Sequence, residues 1–410
     1  MGFNLLEGNY NLDTHRFVLA DESMVLHCHH YNAFLQRSIQ DAEYIDSKPF
    51  LIGASAEAAF DQLSALFKKN IDLDRSKVAS EIFRQAGFGT LDFSQLDKNG
   101  GTLKSNSSHY AVAWKAKFTS SNEAVNHFAS GYLVGSFAAI YNHDLKSVSV
   151  VQSACMATGA KEDIFIVSLT ASNFSIFEKR KAVKIQKVPE DTWSPNHLPV
   201  SVITKTVAAM PLLGDINGLL PVFGVYLTRM YADYYNRISF EFERQLTELV
   251  GENGPMVSSS LFIEAGHVCA FNTFGGIMTS VEWDSLIKSE LKSKEDWVYA
   301  MVACVSSLGW GTWTVRDVSE KSASFEIFND YESIGYQRMY GKSDHPISYL
   351  ALGAAAGIMD LVYLGDVIDK PEFTEEFYTK LFKSDSTFEF EFESNLACGD
   401  PSTKIRVFRK

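Results

Sequence analysis

The stretch His127–Leu169, HFASGYLVGSFAAIYNHDLKSVSVVQSACMATGAKEDIFIVSL, decides how the chain is read. Gly131, Gly135 and Ala138 recur at helical spacing, the small-residue stripe of a helix that approaches a neighbour closely. Ser147–Ser153 then alternates as a strand with one wet and one dry face. Thr158, Gly159 and Ala160 predict a turn, and Asp163–Leu169 a returning strand. The end of the chain repeats this plan. Leu350–Leu364 (LALGAAAGIMDLVYL) reads as the helix and Thr387–Ser394 as the strand. Gly399, Asp400 and Pro401 form the turn, and Lys404–Phe408 the last strand.

Working outward, the two halves match further. Met24–Ile39 (MVLHCHHYNAFLQRSI) and Ser260–Met278 (SLFIEAGHVCAFNTFGGIM) read as copies of one helix, with His30 opposite His267. Ala56–Phe67 is set against Glu295–Ser306, both with apolar residues at three-four spacing. Each half then carries a glycine pair, Gly87 with Gly89 and Gly309 with Gly311, placed as helix stops. Strands are expected at Leu91–Leu96, His109–Ala113, Trp313–Val318 and Ser324–Phe328, and a long helix within Pro221–Leu249. Short turns between strands imply antiparallel sheets with helices on one face. The expectation is an α+β fold of two tandem copies packed as a pseudo-twofold dimer. Residues 1–170 form the first copy. Residues 171–254 form a connecting segment and the N-terminal part of the second, and 255–410 the rest.

Composition narrows the function. With 410 residues, 46% of them hydrophobic, the chain can bury two sizeable cores. A net charge of −13, against one short basic run at Lys179, Arg180 and Lys181, argues against nucleic acid as a partner. Five scattered cysteines without a C-x-x-C pair fit a reducing, cytoplasmic setting. The N-terminus lacks the basic and apolar regions of a signal peptide, and no apolar run reaches the ~18 residues of a membrane span. The glycine pairs follow a helix and precede a strand, the reverse of a dinucleotide fingerprint, and no H-E-x-x-H, G-x-S-x-G or P-loop occurs.

His27, Cys28, His29 and His30 form the most conspicuous polar cluster. On a helix, His27, His30, Tyr31 and Phe34 would share one face, with Cys28 beside Asn32 and Leu35. Two readings stand side by side. In one, these residues are hydrogen-bonded core; in the other, they line an apolar pocket and fix the polar end of a ligand. Imidazole and thiolate also suit a transition metal, zinc or iron, or a haem. That gives an enzyme alternative, a metal- or haem-dependent reaction with Cys28 or His30 as ligand and His27 as acid or base. His27 has no counterpart in the other half, so its loss is expected to abolish function at little cost in stability.

Gly131, Tyr132, Leu133, Val134 and Gly135, followed by the run Gln152–Gly159 (QSACMATG), resemble the C-terminal signature of the 4-vinyl reductase domain family. The Gly87–Gly89 turn fits as well. The resemblance covers most of residues 24–170 and, more weakly, 255–410. It implies the α+β fold also seen in vesicle-tethering transport-particle subunits. It implies a small hydrophobic or aromatic ligand, or vinyl reduction of chlorophyll precursors, and pairing as a homodimer. It also implies a zinc site at positions matched by His127, Gln152, Cys155 and Asp163, of which only Cys155 keeps its type. Cys28, His127 and Cys155 are therefore the candidate metal ligands, and His27, His30, Tyr31 and Phe34 the candidate ligand-binding residues. In the second copy Asn395 stands opposite Cys155, and no such metal is expected there.

Overall fold

Each half is built on the contact that its small-residue helix makes. A Cβ on Gly131 would lie 2.2 Å from Ile52 O, and one on Gly135 would lie 2.1 Å from Ala56 O. In the other half, a Cβ on Gly353 would lie 2.3 Å from Ile263 O. Only glycine lets the helix backbones meet at this distance. These contacts come from a computed structural model that describes residues 5–70, 72–174, 176–177, 181–189 and 193–409. Lys179 and Arg180 of the basic run lie outside the described residues.

In chain order the first half holds β1 (Tyr10–Asn11), β2 (Arg16–Leu19), β3 (Glu22–Cys28), α1 (His29–Gln40), α2 (Lys48–Lys69) and α3 (Arg75–Gln85). It continues with β4 (Gly100–Ser105), α4 (His109–Phe118), α5 (His127–Tyr141), β5 (Ser149–Ala154) and β6 (Asp163–Ser168). After α6 (Val200–Ala208) come β7 (Leu220–Val222), β8 (Val225–Tyr231), α7 (Ala232–Val250), α8 (Gly254–Cys269), α9 (Gly275–Thr279), α10 (Val281–Leu286) and α11 (Lys294–Ser307). The chain ends with β9 (Thr312–Arg316), β10 (Ser322–Phe328), α12 (Tyr331–Met339), α13 (Tyr349–Met359), α14 (Glu375–Phe382), β11 (Glu389–Ser394) and β12 (Thr403–Phe408). The fold is α+β, and every ladder among the described strands is antiparallel. Three sheets form, in the orders β1-β2-β3-β8-β7, β4-β6-β5 and β11-β12-β10-β9. No described helix is long and apolar enough to cross a membrane.

The five-stranded sheet joins the halves. Met24 lies opposite Tyr231 and Cys28 opposite Leu227, so the β3–β8 ladder is symmetric about Leu26 and Arg229. Each central strand is also gripped by the other half's glycine turn. Leu26 N–H donates to Leu308 O at 2.9 Å, and Arg229 N–H donates to Ala86 O at 2.8 Å. Gly87, Gly89, Gly309 and Gly311 all sit at positive φ, which lets the chain turn sharply there.

Several local expectations are corrected. Met24–Cys28 is not helical but belongs to β3, a strand buried on both faces, which erases the two-residue alternation that would mark it. β3–α1 and β8–α7 are both a strand that runs directly into a helix, whereas Ser260–Met278 is helical throughout. His109–Ala113 is not a strand but the start of α4, capped by Ser108 Oγ accepting from Ala111 N–H. Leu91–Leu96 holds a single 3-10 turn at Phe93–Gln95 in place of a strand.

Candidate binding site

The strand-to-helix junction at Cys28 separates the residues expected to share a face. His27, the penultimate residue of β3, is fully buried. Its ring stacks between Tyr31 at 4.4 Å and Trp310 at 4.5 Å, with Tyr235 edge-on at 4.8 Å. Its Nε2 is 3.3 Å from the Tyr331 hydroxyl and its Nδ1 3.6 Å from Cys269 Sγ. Burial holds this imidazole well below its ordinary pKa, so it is neutral at pH 7. His30 leaves in another direction. It packs on His29 at 3.9 Å, and burial, with the nearby His29 and Lys117, holds it down to about 3. Phe34 lies under Lys117, whose ammonium is 5.3 Å from the ring centre. Thus His27 and Tyr31 meet in a packed aromatic cage, whereas His30 and Phe34 lie toward Lys117.

The candidate metal ligands are also dispersed. Cys28 caps α1, accepting from Tyr31 N–H at 3.4 Å. His127 Nε2 accepts from Gln40 at 3.1 Å, at the start of α5. Cys155 is buried in a small cluster with Ala33, Ala111, Trp114 and Val125. Among the described residues, no three His, Cys, Asp or Glu side chains gather as metal ligands would.

The positions that the resemblance assigns to zinc instead hold hydrogen bonds. Asp163 Oδ1 accepts from Met156 N–H at 2.6 Å, and Asn126 Nδ2 reaches Ser108 Oγ at 2.8 Å and Asp163 Oδ2 at 3.4 Å. Gln152 Oε1 accepts from Asn126 N–H at 3.1 Å. With these lone pairs engaged and a carboxamide in the set, the residues do not fit a tetrahedral zinc site. The other half ties the same places together with Asp330, Ser348, Asn395 and Thr403. Asp330 Oδ2 accepts from Ser348, from Ser333 at 2.8 Å and from Thr403 at 2.9 Å. Asn395 Nδ2 donates to Ser348 Oγ at 2.9 Å. Burial raises the Asp330 carboxyl, and these hydroxyls pull it back. Both networks join a helix start to a hairpin turn.

Open space lies elsewhere. A cavity of about 200 Å³ is enclosed by α6, α11, β9 and the segment at Val188–Pro189, with His15 at one side. Its walls are mostly apolar, including Val200, Val302, Ala303 and Val315. Three residues of these walls carry a buried polar atom with no hydrogen-bond partner among the described residues: His15 Nδ1, Thr312 Oγ1 and Trp313 Nε1. Thr312 is 2% exposed and Trp313 is 3% exposed, so water at the protein surface does not satisfy them. Burial holds His15 down to about 4, so it presents a neutral ring. A second cavity, about 340 Å³, adjoins the first, and Leu12 and Lys205 belong to both walls.

No local pattern marks the first cavity, because its lining comes from widely separated segments of the chain. Arg229 is different. It is the one charge in an otherwise uncharged strand, VYLTRMY, and that is a signal a sequence reading could have used.

No family model matches the chain, and no curated protein matches it. Among solved structures, the chain is similar to the crystal structure of the phenol-responsive sensory domain of the transcription activator PoxR with phenol. The identity is 12%, over 52% of this chain and 90% of that one, with a TM-score of 0.38.

Proposed function

We propose that this chain is a tandem pair of 4-vinyl-reductase-like copies, and that it binds a small, largely apolar molecule in the cavity between α6, α11 and β9. The second copy takes its first hairpin and helix, β7–β8 and α7, from the segment before residue 255. The order of elements and the symmetric β3–β8 ladder support the pairing. One observation carries the binding reading: an apolar chamber two of whose lining residues, Thr312 and Trp313, each hold a buried polar atom without a partner among the described residues. A buried donor without an acceptor costs about 1–3 kcal/mol, and a bound hydroxyl or carbonyl removes that cost. The ligand class that fits has an apolar or aromatic body and one hydrogen-bonding group. The chamber holds about 200 Å³, several times the ~30 Å³ share of one water.

The test is calorimetric titration of benzyl alcohol into the protein and into Ser201→Trp. Ser201 is exposed on α6 at the wall of the cavity, so an indole there blocks the space without disturbing the core. Saturable binding that Ser201→Trp weakens at least tenfold is expected. Binding that the substitution leaves unchanged places the ligand elsewhere.

A further inference from the structure

The second cavity contains a buried cation that no carboxylate answers. Arg229 sits at the centre of the five-stranded sheet, opposite Leu26, and is only 8% exposed. Its guanidinium carbon lies 3.9 Å from the Phe17 ring centre. Its Nε is buried without an acceptor, and no ion pair to Arg229 occurs among the described residues. The contrast is Arg237, buried more deeply still, which pairs with Glu57. Burial lowers Arg229 only to about 10, so it stays cationic at neutral pH.

A guanidinium taken out of water without a counter-charge is costly, and an aromatic face returns only part of that cost. The strand itself does not require the charge, since the symmetric position holds Leu26. Arg229 also faces space. It lines the cavity of about 340 Å³ with Lys205, Ser307 and the segment Ala208–Leu213. Glu7, exposed at the rim, is the one carboxylate among the described residues of this wall. Arg229 sets this chamber apart as cationic, since Lys205 belongs to both walls and the adjoining chamber is otherwise mostly apolar.

We propose that the second cavity is an anion site in which Arg229 receives the carboxylate of an amphiphilic small molecule, an aryl or short-chain acyl carboxylate. Its apolar body extends past Leu12 and Lys205 into the neighbouring chamber, and this part of the inference rests on the binding function proposed above. A planar carboxylate matches the guanidinium fork, and its charge supplies the missing counter-ion.

The experiment compares benzoate with its neutral analogue benzyl alcohol, by calorimetry, on the full chain. Benzoate should bind the wild-type protein at least tenfold more tightly than benzyl alcohol. Arg229→Leu, which installs the residue found at the symmetric position, should abolish that preference and leave benzyl alcohol unchanged. If Arg229→Leu does not fold, Arg229→Lys serves instead. It keeps the charge but loses the fork, and should weaken benzoate severalfold while benzyl alcohol holds. Equal binding of the two compounds to the wild type, or a preference that survives Arg229→Leu, overturns the anion site and leaves the apolar chamber standing. A preference that depends on Arg229 but ignores Ser201→Trp supports the anion site and overturns the reading of the apolar chamber. Binding of neither compound overturns both.

Discussion

Replacing His27 by alanine tests whether this residue packs the core or binds a ligand. The imidazole fills a slot between the Tyr31 and Trp310 rings, 4.4 and 4.5 Å away, and no part of it is exposed. Truncating a buried aromatic side chain costs about 3–5 kcal/mol through lost burial and the cavity left behind. The Tyr331 hydroxyl and the Cys269 thiol lose their ring partner as well, a cost of roughly 1–3 kcal/mol. An imidazole is smaller than a phenyl ring and more polar, so the lower part of these ranges applies, about 4 kcal/mol in all. That is a large share of the ~5–15 kcal/mol that holds a domain folded. The assay is urea unfolding followed by circular dichroism at pH 7.5, with His27→Phe as control. Phenylalanine keeps a ring in the slot and loses only polar contacts, so it should cost about 1 kcal/mol. Benzyl alcohol should bind the folded His27→Ala protein as it binds wild type. A His27→Ala protein of nearly unchanged stability that no longer binds would refute the cage and restore the function expected of this residue from sequence.

Gly135→Ala should destabilise by about 2 kcal/mol or more, although alanine is ordinarily the better helix former by ~1 kcal/mol. The added Cβ would meet Ala56 O at 2.1 Å, and thermal unfolding reads the loss. Acid should unfold the protein early. Burial holds His15, His29 and His127 down to about 4 and His30 to about 3, with His27 and His109 also well below their ordinary range. Below pH ~6.5 the unfolded chain takes up protons that these folded imidazoles refuse, so stability falls as pH falls, by up to ~1.4 kcal/mol per unit for each. Urea midpoints at pH 7 and pH 5.5 check this, and equal midpoints contradict it. Asp360 acts in the opposite direction. Burial raises it to about 8, so its contribution is lost as pH rises from ~4 through 8, and Asp360→Asn should stabilise the protein at pH 8 more than at pH 6. Urea midpoints of the wild type and this variant at pH 6 and pH 8 show the sign.

The parts of the fold that were legible in the sequence are those where one local rule dominates. The stripe of Gly131 and Gly135 announced a backbone contact, and the contact is with α2. Alternation in Glu389–Ser394, where Glu389, Glu391 and Glu393 interleave with Phe390 and Phe392, announced a sheet with one wet face. The failures came where tertiary context overrides the local pattern. β3 is buried on both faces because it is the central strand of a sheet that both halves cover, so MVLHC carries no period and passed for helix. That misreading put His27 and His30 on one helical face, whereas His27 lies on β3 and His30 on α1. Cys155 and His127 keep the spacing of a metal site but not its chemistry, because Asn126 and Asp163 close that place with hydrogen bonds. The cavities were invisible for a different reason. Arg229, Trp313, Lys205 and His15 meet only after four distant segments pack together.

A crystal of the protein soaked with 4-bromophenol tests the central claim most directly, since the anomalous signal of bromine fixes the position of the ring. The account predicts one peak in the chamber bounded by Val200, Ala303 and Val315, with the phenol oxygen within hydrogen-bond reach of Thr312 Oγ1 or Trp313 Nε1. A peak beside His27 and Tyr31, or none in this chamber at saturating ligand, would contradict it.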